Sequence, residues 1–320
     1  MNPWKVTLSV SFLLGVVGCG QKGTDAAAVD LEEEARGIPW EILSGKIVYA
    51  RWEHSPASRS RMFLIDVEAR QVRLLRDVAV TTEPPYGTVT GYVRDLAIRR
   101  DGTSVTFALL NPETRRWELR DLSFSDGTER VLYADDQAHH LYPSWSNDGH
   151  LAYVVHGVSW GMFVDGAFLL SGCDDSRLAW TASGAVIVSL ENVRSQGNLY
   201  LADPATHAIT PVVVSSNPDW DAEIFSAPAL SLDETKLAYV RWGHGIVENV
   251  WVADADGTHP VQLSFDYGQH PAWSTDGKSV LFAHKSASPP YGSNLYLADV
   301  ATGALTQLTQ HEADYVDWAP

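Results

Sequence analysis

The sequence predicts an all-β fold, a six-bladed β-propeller whose first blade is closed by the C-terminal strand. Three observations lead to this prediction. A Trp-Ser-x-Asp-Gly segment recurs before alternating apolar runs, a second hairpin pattern follows it further along the chain, and the chain ends in an incomplete copy of the first segment. Four-stranded units repeated at roughly 40–50 residues are typical of β-propellers.

The first hairpin is clearest in YPSWSNDGHLAYV (142–154) and HPAWSTDGKSVLFA (270–283). Both segments carry a tight turn into a run with the two-residue period of a strand. The turn residue recurs at spacings of 57, 47, 35, 50 and 43 residues, as Gly45, Gly102, Gly149, Gly184, Glu234 and Gly277. The predicted inner strands lie near 94–99, 142–146, 177–181, 227–231, 270–274 and 315–319.

The second hairpin is clearest in NLYLADPATHAITPV (198–212), NVWVADADGTHPVQL (249–263) and NLYLADVATGALTQL (294–308). In each, an Asp ends an alternating run and accepts the N–H groups of the turn that follows. One repeat therefore holds four strands. The third blade, around 159–174, matches this pattern least well.

The two ends of the chain complete one blade. SGKIVYARW (44–52) has no strand before it, and YVDWAP (315–320) has no continuation. We expect residues 315–320 to form the innermost strand of the blade whose other strands lie in 46–77, which leaves no open edge between the first and last blades. Deleting 314–320 should then be far more damaging than deleting 20–36. The aligned Trp residues are expected to pack between neighbouring blades.

The N-terminus predicts export and lipidation. Lys5 precedes an apolar stretch at 6–17 that is too short to span a bilayer, and Cys19 follows directly. This V-V-G-C stretch resembles the lipobox of bacterial lipoproteins, and Gly20 after the Cys implies the outer membrane. The predicted divisions are a signal peptide at 1–18, a lipidated Cys19 with a flexible tether at 19–43, and the propeller at 44–320. Cys173, the other thiol, is expected to be a small buried apolar residue.

Charge and motif spacing exclude several functions. The net charge of −17 opposes nucleic-acid binding, which needs cations to neutralise phosphates. Residues 157–161 read Gly-Val-Ser-Trp-Gly and satisfy the nucleophile-elbow pattern, but the hydrolase domain that this motif requires has no room in the chain. We interpret Ser159 as a coincidence. No His spacing is typical of a metal site, and neither a metal nor a cofactor is predicted.

The repeat resembles that of TolB-type six-bladed propellers, which is also seen in the propeller of prolyl-oligopeptidase-like enzymes. Residues 269–309 match this pattern almost throughout, and 44–320 match it in part. The resemblance implies the fold and carries little information about the function. Two features distinguish the chain from TolB. TolB carries an α/β domain before its propeller, and TolB is soluble in the periplasm, whereas this chain is expected to be lipid-anchored.

A candidate binding site follows from the repeat alignment. One equivalent position on each inner strand is placed at the mouth of the central channel, namely Asp95, Tyr142, Arg177, Ala227, His270 and Tyr315. Trp52 and Trp242 belong to flanking Arg-Trp-x-His loops on the same face of the propeller, which we call the loop face. Trp, Tyr and Arg dominate binding hot spots, so we predict a binding site there, with Arg177 and His270 facing solvent. The alternative is that the two Trp side chains pack on the blade below.

Two functions are therefore weighed. The first is a non-enzymatic, monomeric lipoprotein of the outer membrane that faces the periplasm and binds an envelope protein or peptide on its loop face. The second is a lyase or hydrolase with a metal or polar site at the channel mouth. His270 is the only His at an equivalent inner-strand position, which favours the first hypothesis.

Overall fold

The computed structural model describes residues 29–53, 58–83, 88–157, 160–173, 177–191, 197–215, 223–243, 246–265, 267–285 and 293–320. Within these ranges, six four-stranded antiparallel sheets form the blades.

Blades 1 to 3 occupy the first half of the chain. Blade 1 holds β1 (Lys46–Glu53), β2 (Arg59–Asp66) and β3 (Gln71–Ala79), and a small hairpin of β4 (Thr81–Glu83) and β5 (Thr88–Thr90) leads to blade 2. Blade 2 holds β6 (Val93–Ile98), β7 (Ser104–Leu110), β8 (Trp117–Ser123) and β9 (Glu129–Tyr133). Blade 3 holds β10 (His139–Trp145), β11 (Leu151–His156), β12 (Gly161–Val164) and β13 (Ala167–Leu170).

Blades 4 to 6 follow in the same order. Blade 4 holds β14 (Ala179–Trp180), β15 (Val186–Glu191), β16 (Gly197–Ala202) and β17 (Ile209–Val213). Blade 5 holds β18 (Ile224–Leu230), β19 (Lys236–Gly243), β20 (Ile246–Asp254) and β21 (Val261–Gln262). Blade 6 holds β22 (Gly268–Trp273), β23 (Ser279–Lys285), β24 (Ser293–Asp299) and β25 (Leu305–Gln307).

The C-terminal strand closes the ring as the sequence predicts. Strand β26 (Tyr315–Ala319) pairs with β1 in antiparallel fashion, so that Val316 lies opposite Tyr49 and Trp318 lies opposite Ile47. Blade 1 therefore contains both ends of the propeller chain. The predicted fold class, with its split first blade, is confirmed.

The hydrophobic core lies between the blades. On β1, Ile47 and Tyr49 belong to a cluster shared with blade 6, whereas Val48 and Ala50 belong to a cluster shared with blade 2. Because successive side chains of a strand point to opposite faces, a strand that is buried on both faces is apolar at consecutive positions. Each blade thus contributes apolar side chains to both of its neighbours.

The aligned Trp residues pack between blades, as predicted. Trp145 donates its indole N–H to Thr106 Oγ1 of the preceding blade at 2.9 Å. Trp180 donates to the carbonyl of Ser144 at 2.8 Å, and Trp273 donates to the carbonyl of Ala229 at 2.9 Å. Each of these indoles is more than nine-tenths buried and spans one seam.

The N-terminal segment corrects the predicted extent of the tether. Residues 29–43 are packed against the propeller, and they include a short helix, α1 (Leu31–Ala35), and a 3₁₀ turn at Trp40–Ile42. Leu31, Ala35 and Trp40 pack on the apolar cluster between blades 1 and 6. The polar and Ala-rich composition suggested a flexible tether, but the apolar residues within it fill the outer part of this seam. Residues 19–28, with Cys19, lie outside the described residues.

The helices in the described ranges are short. None of them has both the length and the apolar character that a bilayer crossing requires.

Candidate functional site

A repeated irregularity of the inner strands shapes the channel mouth. The backbone φ angles of Asp95, Tyr142, Ala227 and His270 are 53°, 54°, 47° and 53°, and each of these residues lies within a shift of the strand's pairing register. Non-glycine residues rarely adopt this left-handed conformation, and bulges of this kind redirect side chains next to functional sites. The alignment placed these four residues at equivalent positions, and the bulge now explains their common geometry.

A cavity of about 370 Å³ opens where the inner strands begin, on the loop face of the propeller. It is lined by Arg94, Tyr142, Arg177, Ser226, Ala227, Val240, Trp242, Glu248, Gln269, His270, Lys285 and Tyr315. The structure therefore brings together six of the eight residues named for this site from the sequence. Asp95 and Trp52 are the two that do not line the cavity.

Arg94 is enclosed by aromatic rings. Its guanidinium lies 5.1 Å from the ring centre of Tyr142, 5.5 Å from that of Trp117 and 5.8 Å from that of Tyr315. It also donates to the hydroxyl of Tyr142 at 2.6 Å. Such cation–π contacts are stronger when the cation is removed from water, so Arg94 is rigidly positioned at the wall of the cavity.

Asp95 lies beneath the cavity as the partner of Arg94. Its carboxylate is 2.9 Å from Arg94 Nε, and the side chain is 1% exposed. Burial raises the pKa of Asp95, and the adjacent guanidinium offsets part of this increase. Burial acts to lower the pKa of Arg94, but Asp95, Tyr315 and Tyr142 together act against it and the net direction is upward. Asp95 therefore holds Arg94 in place rather than facing a ligand.

Arg177 closes the central channel, which corrects the expectation that it faces solvent. Its side chain is 12% exposed and reaches across the axis from blade 4. It donates to the carbonyl of Leu96 in blade 2 at 3.0 Å and to that of Pro271 in blade 6 at 3.3 Å, and it pairs with Asp317 of the C-terminal strand at 3.2 Å. Arg177 lines both the loop-face cavity and a smaller one of about 80 Å³ on the opposite side.

His270 is half-buried in the wall of the cavity, against Tyr315. The two ring centres are 4.6 Å apart, and His270 Nδ1 has no hydrogen-bond partner among the described residues. Burial lowers the pKa of His270 well below its usual value, and the positive charges of Arg177, Arg94 and Lys285 lower it further. The imidazole is therefore neutral at pH 7. Burial also raises the pKa of Tyr315 to about 12, so its hydroxyl stays protonated.

The two loop Trp residues differ in their surroundings. Trp242 lines the cavity and also packs against the core between blades 5 and 6. Trp52 contacts Tyr92, with ring centres 5.4 Å apart, and Tyr92 in turn contacts Trp117 and Tyr315. Trp52 thus belongs to an aromatic cluster beside the cavity, which agrees with the alternative of packing on the blade.

Sequence reasoning missed two charged lining residues, Glu248 and Lys285. Glu248 accepts a hydrogen bond from Gln269. Arg94 and Gln269 each directly precede a bulged residue, where the repeat alignment placed them beside the channel mouth, and both line the cavity. Glu248 and Lys285 lie at the loop-face ends of β20 and β23, where the repeat pattern carries no signal.

Other candidate groups of the sequence are distributed as follows. Cys173 is fully buried, as predicted. Ser159 lies outside the described residues. Within the described ranges, no three His, Cys, Asp or Glu side chains are grouped so that they could hold a metal ion.

The fold and cavity define a class of protein: a six-bladed propeller, closed by its C-terminal strand, with a polar and aromatic pocket at the loop-face end of the axis. The structure is similar to that of TolB from Acinetobacter baumannii, with a TM-score of 0.70 and 18% identity over 86% of this chain and 67% of that chain. It is also similar to a putative TolB from Agrobacterium tumefaciens, with a TM-score of 0.59 and 12% identity over 87% of this chain and 99% of that chain. The TolB-like fold predicted from the repeat is confirmed.

A peptidase structure shares the propeller. A structure from a study of two prolyl endopeptidases has a TM-score of 0.52 and 15% identity over 86% of this chain and 42% of that chain. No protein-family model matches the sequence, and no curated protein matches it. Likeness at these identities concerns the fold, and the function must be argued from the site.

Proposed function

We propose that this protein is a lipid-anchored propeller of the bacterial outer membrane that binds an envelope protein or peptide in its loop-face cavity. The observation that carries the proposal is the cavity itself. It combines fixed polar groups (Arg94, Tyr142, His270) with an aromatic wall (Trp242, Tyr315). Sites for ligands are typically concave, with a few well-placed polar groups among apolar ones.

The rigidity of these groups supports binding. Arg94 is held by Asp95 and three aromatic rings, and Tyr315 is held by strand pairing in the closing blade. A receptor whose contact groups are already ordered loses less conformational entropy when the partner binds. The V-V-G-C stretch at 16–19 supports anchoring in the envelope, where such a partner would be met.

Site-specific photo-crosslinking in cells tests the binding proposal. Trp242 is replaced by p-benzoylphenylalanine, and the control carries the same residue in place of Ala301, an exposed position in the β24–β25 turn on the opposite face. We expect a discrete crosslinked product in the envelope fraction from position 242 and none from 301. Equal products from both positions, or no product from 242, would contradict binding at the cavity.

Variants of the cavity add a quantitative test. Trp242→Ala combined with His270→Ala should weaken partner capture by on the order of 2 kcal/mol, because aromatic anchors contribute most to hot spots. Arg177 is not suited to this test, since its removal would also release bonds between four blades.

Fractionation tests the anchor separately. The wild-type protein should remain with membranes, and Cys19→Ala should be released in soluble form. A wild-type protein that is itself soluble would refute the anchor and leave the binding proposal standing.

A further inference from the structure

The cations that line the loop-face cavity differ in how far they are neutralised. Arg94 is paired with Asp95, and Arg177 is paired with Asp317. Lys285 is exposed at the end of β23, and no ion pair of its ammonium occurs within the described residues. Three cationic side chains therefore line one cavity of a chain whose net charge is −17.

These three cations converge on the His270 end of the cavity. Each of them acts on the imidazole to lower its pKa, after the larger effect of burial. The acidic residue in the cavity lining, Glu248, is hydrogen-bonded by Gln269. His270 therefore lines the cavity together with three cationic side chains, while its own imidazole remains neutral and able to form hydrogen bonds.

Exposed aromatic side chains lie next to Lys285. The Lys285 backbone N–H donates to the carbonyl of Tyr267 at 3.0 Å, and the Tyr267 side chain is 39% exposed. Phe265 is 71% exposed, more than any other large apolar side chain in the described part of the chain. The short segment before β22 thus carries two exposed aromatic rings, and its residue Tyr267 is bonded to the Lys285 backbone.

We propose that the ligand of this cavity presents a carboxylate to Lys285 and His270 and an apolar side chain to the rim at Tyr267 and Phe265. This inference rests on the proposed binding function and specifies its ligand. A carboxylate is the anionic group of peptides, and the exposed Lys285 ammonium would donate a charge-assisted hydrogen bond to it. The carboxylate belongs either to an acidic side chain or to the C-terminus of the partner.

Small peptide analogues test the proposal on the full chain. The probes are N-acetylphenylalanine, with a C-terminal carboxylate, N-acetyl-aspartyl-phenylalaninamide, with a side-chain carboxylate, and the neutral N-acetyl-asparaginyl-phenylalaninamide. Binding is followed by NMR through the indole signal of Trp242 and the imidazole signals of His270. We expect at least one acidic probe to bind at least about fivefold more tightly than the neutral one. The acidic probe that binds more tightly shows whether the carboxylate belongs to a side chain or to a C-terminus.

Lysine variants locate the contact. In Lys285→Met, the affinity for the acidic probe should fall to within about twofold of that for the neutral probe. Lys285→Arg should keep the preference for the acidic probe. Lys278→Met is the matched control, because Lys278 is 79% exposed on the opposite face. Its preference should equal that of the wild type.

The possible results distinguish this inference from the binding function on which it rests. Equal affinity of acidic and neutral probes, with clear shifts of the Trp242 NMR signal, would overturn the inference that the ligand presents a carboxylate. It would still support the cavity as a binding site. An unchanged preference in Lys285→Met would overturn the role of Lys285. No shift at Trp242 or His270 with any probe would overturn the carboxylate inference and count against the cavity as a ligand site.

Discussion

Removing the Glu34 carboxylate should open the seam between the first and last blades. Glu34 lies in α1, its side chain is 4% exposed, and it pairs with Arg51, whose side chain is 8% exposed. It also accepts a hydrogen bond from the Tyr49 hydroxyl at 2.8 Å. Burial raises the pKa of Tyr49 and the Glu34 charge raises it further, so the tyrosine remains a donor.

The expected loss in the free energy of unfolding follows from the buried groups that remain after the substitution. Removing one partner of a buried ion pair typically costs about 3–5 kcal/mol, because the other charge remains buried. Here Arg51 retains Glu53 at 2.5 Å, which places Glu34→Ala at the lower end, about 3 kcal/mol, with the lost Tyr49 hydrogen bond included. Glu34→Gln keeps an acceptor for Tyr49 but not the charge, and should cost about 2 kcal/mol.

Urea unfolding of the variants measures these costs. Glu33→Ala is the control, since Glu33 lies on the same helix with a side chain that is 50% exposed and 3.7 Å from His311. It should change the free energy of unfolding by less than about 0.5 kcal/mol. If Glu34→Ala proves as mild as Glu33→Ala, the packed N-terminal segment does not stabilise the ring, and the reasoning from buried charge is refuted.

Two further predictions concern the ring and its axis. Deleting 314–320 removes the strand paired with β1, the buried Trp318 and the Asp317 partner of Arg177. The truncated protein should therefore lose cooperative thermal unfolding, as measured by calorimetry. An unchanged transition would exclude the split blade. His270 has a depressed pKa in the folded state, so the unfolded chain binds the extra proton first and stability should be full above about pH 6.5 and fall as the pH drops below it. The contribution of this residue should reach at most about 1.4 kcal/mol per pH unit, and His270→Gln should flatten that part of the stability profile; identical profiles would refute it.

Much of the fold could be predicted because its determinants are local and repeated. The Trp-Ser-x-Asp-Gly turn is stabilised within itself: Ser274 donates to Asp276 at 2.8 Å, and the Lys278 N–H donates to the same Asp at 3.1 Å. Gly277, at a φ of 69°, completes the turn in a conformation that glycine adopts readily. Residues that act within five positions of each other leave a pattern that a single sequence displays.

The candidate site could be predicted only in outline. Alignment identified the positions of Tyr142, Arg177, His270 and Tyr315, because equivalent residues of a repeat lie at equivalent points around the axis. It did not identify that Arg177 crosses the axis, because its partners Leu96, Pro271 and Asp317 belong to three other blades. No local pattern encodes a contact that depends on where six sheets meet.

The sequence by itself determined the strand order, the number of blades and the closure between the two chain ends, since these follow from turn chemistry and two-residue periodicity. The tertiary structure alone decided which charges are neutralised and which remain available. Asp95 is paired with Arg94, Glu34 of the polar N-terminal segment forms a buried ion pair with Arg51, and Lys285 lines the cavity with no ion pair to another described residue. The physical reason is that burial and Coulomb interaction depend on distances between blades, and those distances exist only once the ring has closed.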